Sequence, residues 1–128
     1  MAPSALHLVA HVFATIFVGF GINAVLNPTS ALSFFELELS SSVPAADARL
    51  VDSLLAVYGV RDVFMGLAIY AAAIWGTGRS LGMTLVAASA VAAADGYVCF
   101  VNGGGEWNHW GYAPAVALVG GLLLAGRG

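Results

Sequence analysis

Arg61 and Asp62 stand side by side near the middle of residues 50–75, a run otherwise apolar and long enough to cross a bilayer. A third charged residue, Asp95, lies inside the next apolar run. One charge at the centre of a membrane helix costs roughly 2.5–3.5 kcal/mol on insertion scales, so three cost about 8–10 kcal/mol. That rivals the net stability of a typical domain. The three side chains must therefore pair inside a helical bundle. Two carboxylates and one guanidinium leave one negative charge over, and in hydrocarbon the inexpensive remedy is for one carboxyl to keep its proton. A protonated and an ionised carboxyl separated by an arginine are an acid and a base ready for proton transfer. Tyr58 lies four residues before Asp62, so phenol and carboxylate share a helix face. Asn23, near the end of the first apolar run, is placed to share a pocket with Asp95. His109 titrates near neutral pH, which suits a pocket cap that relays protons. Each has a plainer reading: an ion pair that sets helix register, an amide bonded to nearby backbone, and a tyrosine and a histidine in an interfacial belt.

The elements that position these residues follow from composition. The 128 residues are 60% hydrophobic and only 9% charged, with no lysine and a net charge of −3; the mean hydropathy is +0.91. A soluble domain carries about a quarter charged residues, so the chain reads as an integral membrane protein. The absence of a basic patch excludes nucleic acid as a partner. Four apolar runs, at about 6–26, 50–75, 81–101 and 110–125, predict one all-α domain, an integral membrane four-helix bundle spanning residues 1–128. The N-terminus lacks the basic flank of a secretory signal, so the first run reads as a retained span. Cys99, alone in an apolar run, reads as packing.

In the first run His7, His11, Thr15, Gly19 and Asn23 follow each other at four-residue spacing, which predicts a polar stripe facing other helices. Two histidines are too few to hold a metal and His109 should lie at the opposite face, so neither a metal nor a cofactor is expected. Asn27-Pro28 stops that helix. Residues 29–42 mix Phe34 and Phe35 with Glu36 and Glu38 and read as a short helix or extended segment lying in the interface, followed at 40–44 by a loop that is a plain connector more than a closure over a pocket mouth. Gly59 and Gly66 predict close approach of a partner helix, and the alanine-rich third run predicts packing against the second. Arg61 should project about 100° from Asp62, toward a different neighbour. Residues 75–80 form a tight loop. Trp107, Trp110 and Tyr112 read as an aromatic belt. Arg79 and Arg127 on one side, against Arg49 and four acids on the other, place both termini in the cytoplasm.

The sequence Gly59-Val-Arg61-Asp62 with Gly66, then Asp95, then His109 before a last apolar run, resembles a family of small four-span membrane proteins of fungi and actinomycetes, known only as a domain of unknown function. The Asn27-Pro28 turn and Phe34-Phe35 are similar to that family's first loop. The resemblance implies a four-helix membrane bundle. It also implies, from fungal relatives encoded among genes for lipophilic polyketides and terpenoids, an accessory enzyme of secondary metabolite biosynthesis. Chemically, the Asp-Arg-Asp group with Tyr and Asn is similar in kind to that of the soluble limonene-epoxide hydrolases, by analogy alone. The resulting expectation is a membrane-embedded hydrolase, cyclase or isomerase that opens an epoxide of a lipophilic small molecule arriving from the lipid bilayer. Its catalytic residues would be Asp62, Asp95, Arg61, Tyr58, Asn23 and His109, and its site would be the endoplasmic reticulum membrane in a eukaryote. Two other classes stand beside it: a non-catalytic assembly subunit, acting as a homodimer or with partner biosynthetic enzymes, and a proton-coupled carrier using His7, His11 and Thr15. The missing inverted repeat argues against the carrier.

Overall fold

Local sequence starts each helix. Ser4 caps α1 (Ala5–Leu26) by accepting the His7 backbone N–H. Asn27 caps α2 (Pro28–Phe34) in the same way through Ser30, with Pro28 in the first turn. Thr77 and Ser80 form a reciprocal capping box at the start of α4 (Gly78–Val101). Pro44 precedes α3 (Ala45–Trp75); α5 is the single turn Trp107–Trp110, and α6 is Ala113–Leu124. This is the structure of residues 4–128 given by a computed structural model; among the described residues all regular structure is helical.

Helices α1, α3 and α4 are each long and apolar enough to cross a membrane. The expected fourth run, 110–125, is divided between α5 and α6 by Gly111 and Tyr112. At 12 residues, α6 measures about 18 Å, less than the roughly 30 Å of hydrocarbon. The second run begins five residues earlier than its apolar composition suggests, because Asp47, Arg49 and Asp52 already lie within α3.

Small residues decide which helices pair. α1 runs along α3, and α4 along α6; the seam between α3 and α4 is much lighter. A side chain at Gly21 would collide with the Gly59 carbonyl oxygen, and one at Gly66 would stand 2.6 Å from the Ala14 carbonyl oxygen. Across the other pair, a side chain at Gly82 would stand 2.7 Å from the Gly120 carbonyl oxygen. Gly59 and Gly66 therefore admit a partner helix as expected, and that partner is α1. Two expectations fail for the same reason. The alanine-rich α4 packs chiefly on α6, not on α3, because the matching glycine is Gly120. On α1 the buried stripe is Ala10, Ala14, Phe17, Gly21 and Ala24, which comes closer to α3 than histidines and threonine could. The predicted polar stripe is displaced to the edge: Thr15 and Gly19 are exposed, although Thr15 still bonds the Tyr70 hydroxyl.

The main core, including Phe17, Ile69, Leu85, Val116 and Leu123, draws on all four of these helices. A second, smaller cluster of Ala24, Ala31 and Leu55 joins α2 to α1 and α3. Cys99 is free and buried on α4, which fits the packing role expected of it.

The close approach predicts a sharp contrast between two glycine substitutions. Gly59→Ala should lower stability by about 1–3 kcal/mol through overpacking against α1, whereas Gly19→Ala, with nothing within 4 Å, should be neutral or stabilising by up to about 1 kcal/mol. Equilibrium unfolding in mixed micelles measures both; equal stability of the two variants would contradict the α1–α3 contact.

Candidate functional site

The polar residues gather at the end of the molecule formed by the C-termini of α1 and α4, the first half of α3, and α5. Arg61 is their hub. Its Nη1 and Nη2 donate to Asp95 Oδ1 and Oδ2 at 3.1 and 2.7 Å, a bidentate pair across the α3–α4 seam. Its Nε and Nη2 also donate to Asp62 Oδ1 at 3.3 and 3.1 Å. The guanidinium Cζ lies 4.4 Å from the centre of the Tyr58 ring, within cation–π range. The expected pairing of Arg61 with both aspartates is present. The expected divergence of Arg61 from Asp62 is not: the long stem curls back along α3, so neighbours in sequence meet at their tips. Asp62 is buried, the Asp95 side chain is 15% exposed, and the Arg61 side chain is 36% exposed.

The two carboxylates differ in what remains free. Asp95 engages the guanidinium with both oxygens. Asp62 uses Oδ1 for both bonds to Arg61, so its Oδ2 lies outside the ion pair.

Asn23 stands apart from this group. Its Nδ2 donates to Ser30 Oγ at 3.2 Å, and it lines a partly open cavity of about 170 Å³ with Phe20, Ser30, Ala31, Ser33, Phe34 and Tyr58. The pocket expected to hold Asn23 and Asp95 together is thus divided by Tyr58. One side of the tyrosine forms cavity wall, and Arg61 covers its ring. The reason is the α1–α3 glycine contact, which brings the end of α1 beside α3 and leaves α4 on the far side of Tyr58.

His109 does not line that cavity either. It is fully buried, with both ring nitrogens unpartnered. Phe34, Phe35 and Tyr112 surround it at centroid distances of 5.5, 4.8 and 6.5 Å. Burial among these rings holds its imidazole below the ordinary histidine value.

Sequence reasoning missed the cover that closes this end. Residues 29–42 read as a short helix or extended segment in the interface; α2 is that short helix, but it carries Phe34 over the site, and Phe35 at its C-cap also packs on Tyr58 at 5.2 Å. Asn108 Nδ2 ties the cover down by donating to the Phe34 carbonyl at 2.8 Å. Gly105, at φ +91°, allows the facing loop to approach: a side chain there would stand 2.8 Å from the Phe35 carbonyl oxygen. The signal was available, because Asn27-Pro28-Thr29-Ser30 is a helix start as well as a helix stop. Trp110 is another residue read too simply as belt; it packs on Gly96 and donates from Nε1 to the Ala93 carbonyl at 3.1 Å. Trp107, 72% exposed, fits the belt.

At the other end, His7 and His11 are held by Ser4 and by the His7 carbonyl at 2.8 and 2.7 Å. Among the described residues no three His, Cys, Asp or Glu side chains converge as a metal site.

A family model described as a domain of unknown function (DUF4267) matches residues 14–123, which include every residue of the ion group, the cavity and the cover. No curated protein and no solved structure matches the chain.

Two outcomes follow from this geometry. Arg61→Ala leaves Asp62 buried without its partner and should cost about 3 kcal/mol, the lower end for a broken buried pair because Arg61 is partly solvated; unfolding in micelles as stable as the parent would contradict the placement of the pair. His109 is neutral in the folded protein, while the unfolded chain takes up a proton below about pH 6.5. Stability should therefore be complete above that pH and fall as pH drops toward the depressed folded value. His109→Phe should flatten this part of the melting-temperature profile; an unaltered slope would show that another group is responsible.

Proposed function

The chain belongs to the DUF4267 family, and for this member we propose a membrane-embedded acid–base enzyme acting on a lipophilic small molecule held against Tyr58. The observation that carries the reading is the contact of Tyr58 with two environments at once: a largely apolar cavity with an amide and two serine hydroxyls on one side, and a half-buried Asp-Arg-Asp group on the other. Ionisable groups inside a membrane domain are functional by default. The reaction class that uses them most fully is epoxide opening, by water or by a hydroxyl of the substrate itself; isomerisation uses the same groups without the nucleophile.

The residues divide the work as follows. Asp95 grips the guanidinium with both oxygens and serves as its fixed counter-ion. Asp62, with Oδ2 outside the pair, holds the transferable proton, since a second full negative charge there would be uncompensated. Tyr58, one turn away on the same face, gives its hydroxyl proton to the departing epoxide oxygen and takes the proton of Asp62 in exchange. As the C–O bond breaks, water held by Asn23 attacks the carbon, and its proton returns to the Asp62 carboxylate. Every proton is thereby restored. Arg61, over the Tyr58 ring, stabilises negative charge as it develops on the phenol. The substrate partitions from the bilayer, and α2 shields the site from water.

The proposal carries a topology with it. The last run, 110–125, completes a fourth crossing with α6 at its centre, giving a four-helix bundle with both termini on the Arg79 and Arg127 side. By the positive-inside rule that side is cytoplasmic, and the ion group faces the lumen or exterior; in a eukaryotic host the membrane would be that of the endoplasmic reticulum.

A second reading is favoured by one observation: the Arg61–Asp95 pair bridges the lightly packed α3–α4 seam. On that reading the pair is structural, and the protein is a membrane assembly subunit for a partner biosynthetic enzyme or a homodimer.

Turnover separates the two. In membranes containing this protein alone, supplied with lipophilic epoxides and oxygen-labelled water, Asp62→Asn and Tyr58→Phe should each reduce diol or cyclised product by about 10²–10⁴-fold while the protein stays inserted. The double variant should be little worse than either single one, because the two act as a unit. Undiminished turnover in either variant would refute the proton path, and no turnover by the parent would favour the assembly role.

A further inference from the structure

Phe34 has two faces in use. One lines the cavity beside Asn23 and Tyr58, and the other packs edge-on against His109 at 5.5 Å. Behind it, His109 is fully buried with Nδ1 and Nε2 both lacking a partner. Buried polar atoms of this kind are rare, and each requires an explanation, because a buried imidazole with no hydrogen bond is destabilising. The cavity supplies a second discrepancy. At about 170 Å³ it matches a space that holds benzene and falls below the ~300 Å³ at which ligand pockets begin. Both are resolved by the same movement. With the backbone at Phe34 held by Asn108, turning the ring aside would give up its packing on Phe20 at 5.0 Å without moving α2, and the vacated space would join the cavity to His109.

We propose that Phe34 is a gate within the binding site and that His109 is a second polar anchor behind it, so that the cavity takes an elongated lipophile bearing one oxygen function at each end. One end meets Asn23 and Tyr58, as in the proposed function on which this inference rests. The other end meets the His109 imidazole, which can donate from one nitrogen and accept at the other. The aromatic rings that surround His109 in the closed form would then line an apolar middle section. Specificity follows from the unpaired imidazole: a lipophile with oxygen at one end only leaves both nitrogens unsatisfied, and a two-ended one satisfies one of them.

Titration of two probes into the protein in lipid nanodiscs tests this. Phenol fits the closed cavity; 4,4′-dihydroxybiphenyl has two rings and two hydroxyls and needs the space of Phe34. His109→Phe should weaken dihydroxybiphenyl binding by about tenfold, the worth of one hydrogen bond, and leave phenol binding unchanged. Asn23→Ala should weaken both. Dihydroxybiphenyl binding that is indifferent to His109→Phe, with phenol still bound, would overturn the anchor and leave the cavity as the substrate site. Failure of both probes to bind the parent would overturn that reading of the cavity and the anchor with it. Should His109→Phe not fold, Phe34→Ala gives the same decision. Diethyl pyrocarbonate should then modify His109, read by peptide mass spectrometry separately from His7 and His11, and dihydroxybiphenyl should protect it. Continued inertness of His109 in Phe34→Ala would overturn the gate.

Discussion

The arrangement rests on one guanidinium shared by two carboxylates. A chain this apolar can keep charge in its interior only if the charges meet, and Arg61 is the single cation within reach of Asp62 and Asp95 among the described residues. Because Asp62 is on its own helix and Asp95 is on α4, satisfying the ions also closes the α3–α4 seam, which no glycine contact joins. Elsewhere the helices are joined in pairs by backbone approach, α1 with α3 through Gly21 and Gly59, α4 with α6 through Gly82 and Gly120. Van der Waals packing of small residues is the available adhesive in lipid, where no hydrophobic force brings helices together. The ion group thus supplies between the pairs what small residues supply within them.

The same constraint arranges the aromatic residues around Tyr58. Its ring lies beneath Arg61, and it forms part of the cavity that α2 covers. Phe35 packs against it, Phe34 forms the adjoining wall, and both rings reach His109. Aromatic contact therefore continues unbroken from the ion group to the buried imidazole. An apolar shell of this kind strengthens the electrostatics inside it by excluding water, which suits proton transfer at one point while leaving polar groups on either side of a lipophile.

Much of this was legible in the residues, and the parts that were not share a cause. The membrane class, three of the long helices and the Arg61 pairing follow from energies large enough to override detail: unpaired charge in hydrocarbon and unsatisfied backbone in lipid. The choice of partner helix does not, because Gly59 and Gly66 indicate that something approaches closely without naming what. Only Gly21 and Gly120, read together with them, sort the helices into α1–α3 and α4–α6. Asn23 was misplaced by the same ambiguity, falling with Ser30 and Tyr58 and not with Asp95. The cover was lost for another reason: Asn27-Pro28 ends one helix and caps the next, and Phe34-Phe35 beside two glutamates resembles an interface segment until α5 is seen facing it. His109 was identified by type, but its enclosure depends on Phe34, Phe35 and Tyr112 arriving from two parts of the chain.

How protons are shared between two aspartates and one arginine decides what chemistry is open to this group of residues. Infrared spectroscopy of the protein in nanodiscs, with the aspartate carboxyls carbon-13 labelled, reads protonated carboxyls separately from carboxylates at neutral pH. A single buried protonated aspartate is expected, its band abolished in Asp62→Asn and lost as well in Asp95→Asn, where Asp62 ionises as the one counter-ion left to Arg61. A parent spectrum with every aspartate ionised, or a band that depends on Asp95 and not on Asp62, would contradict the central claim.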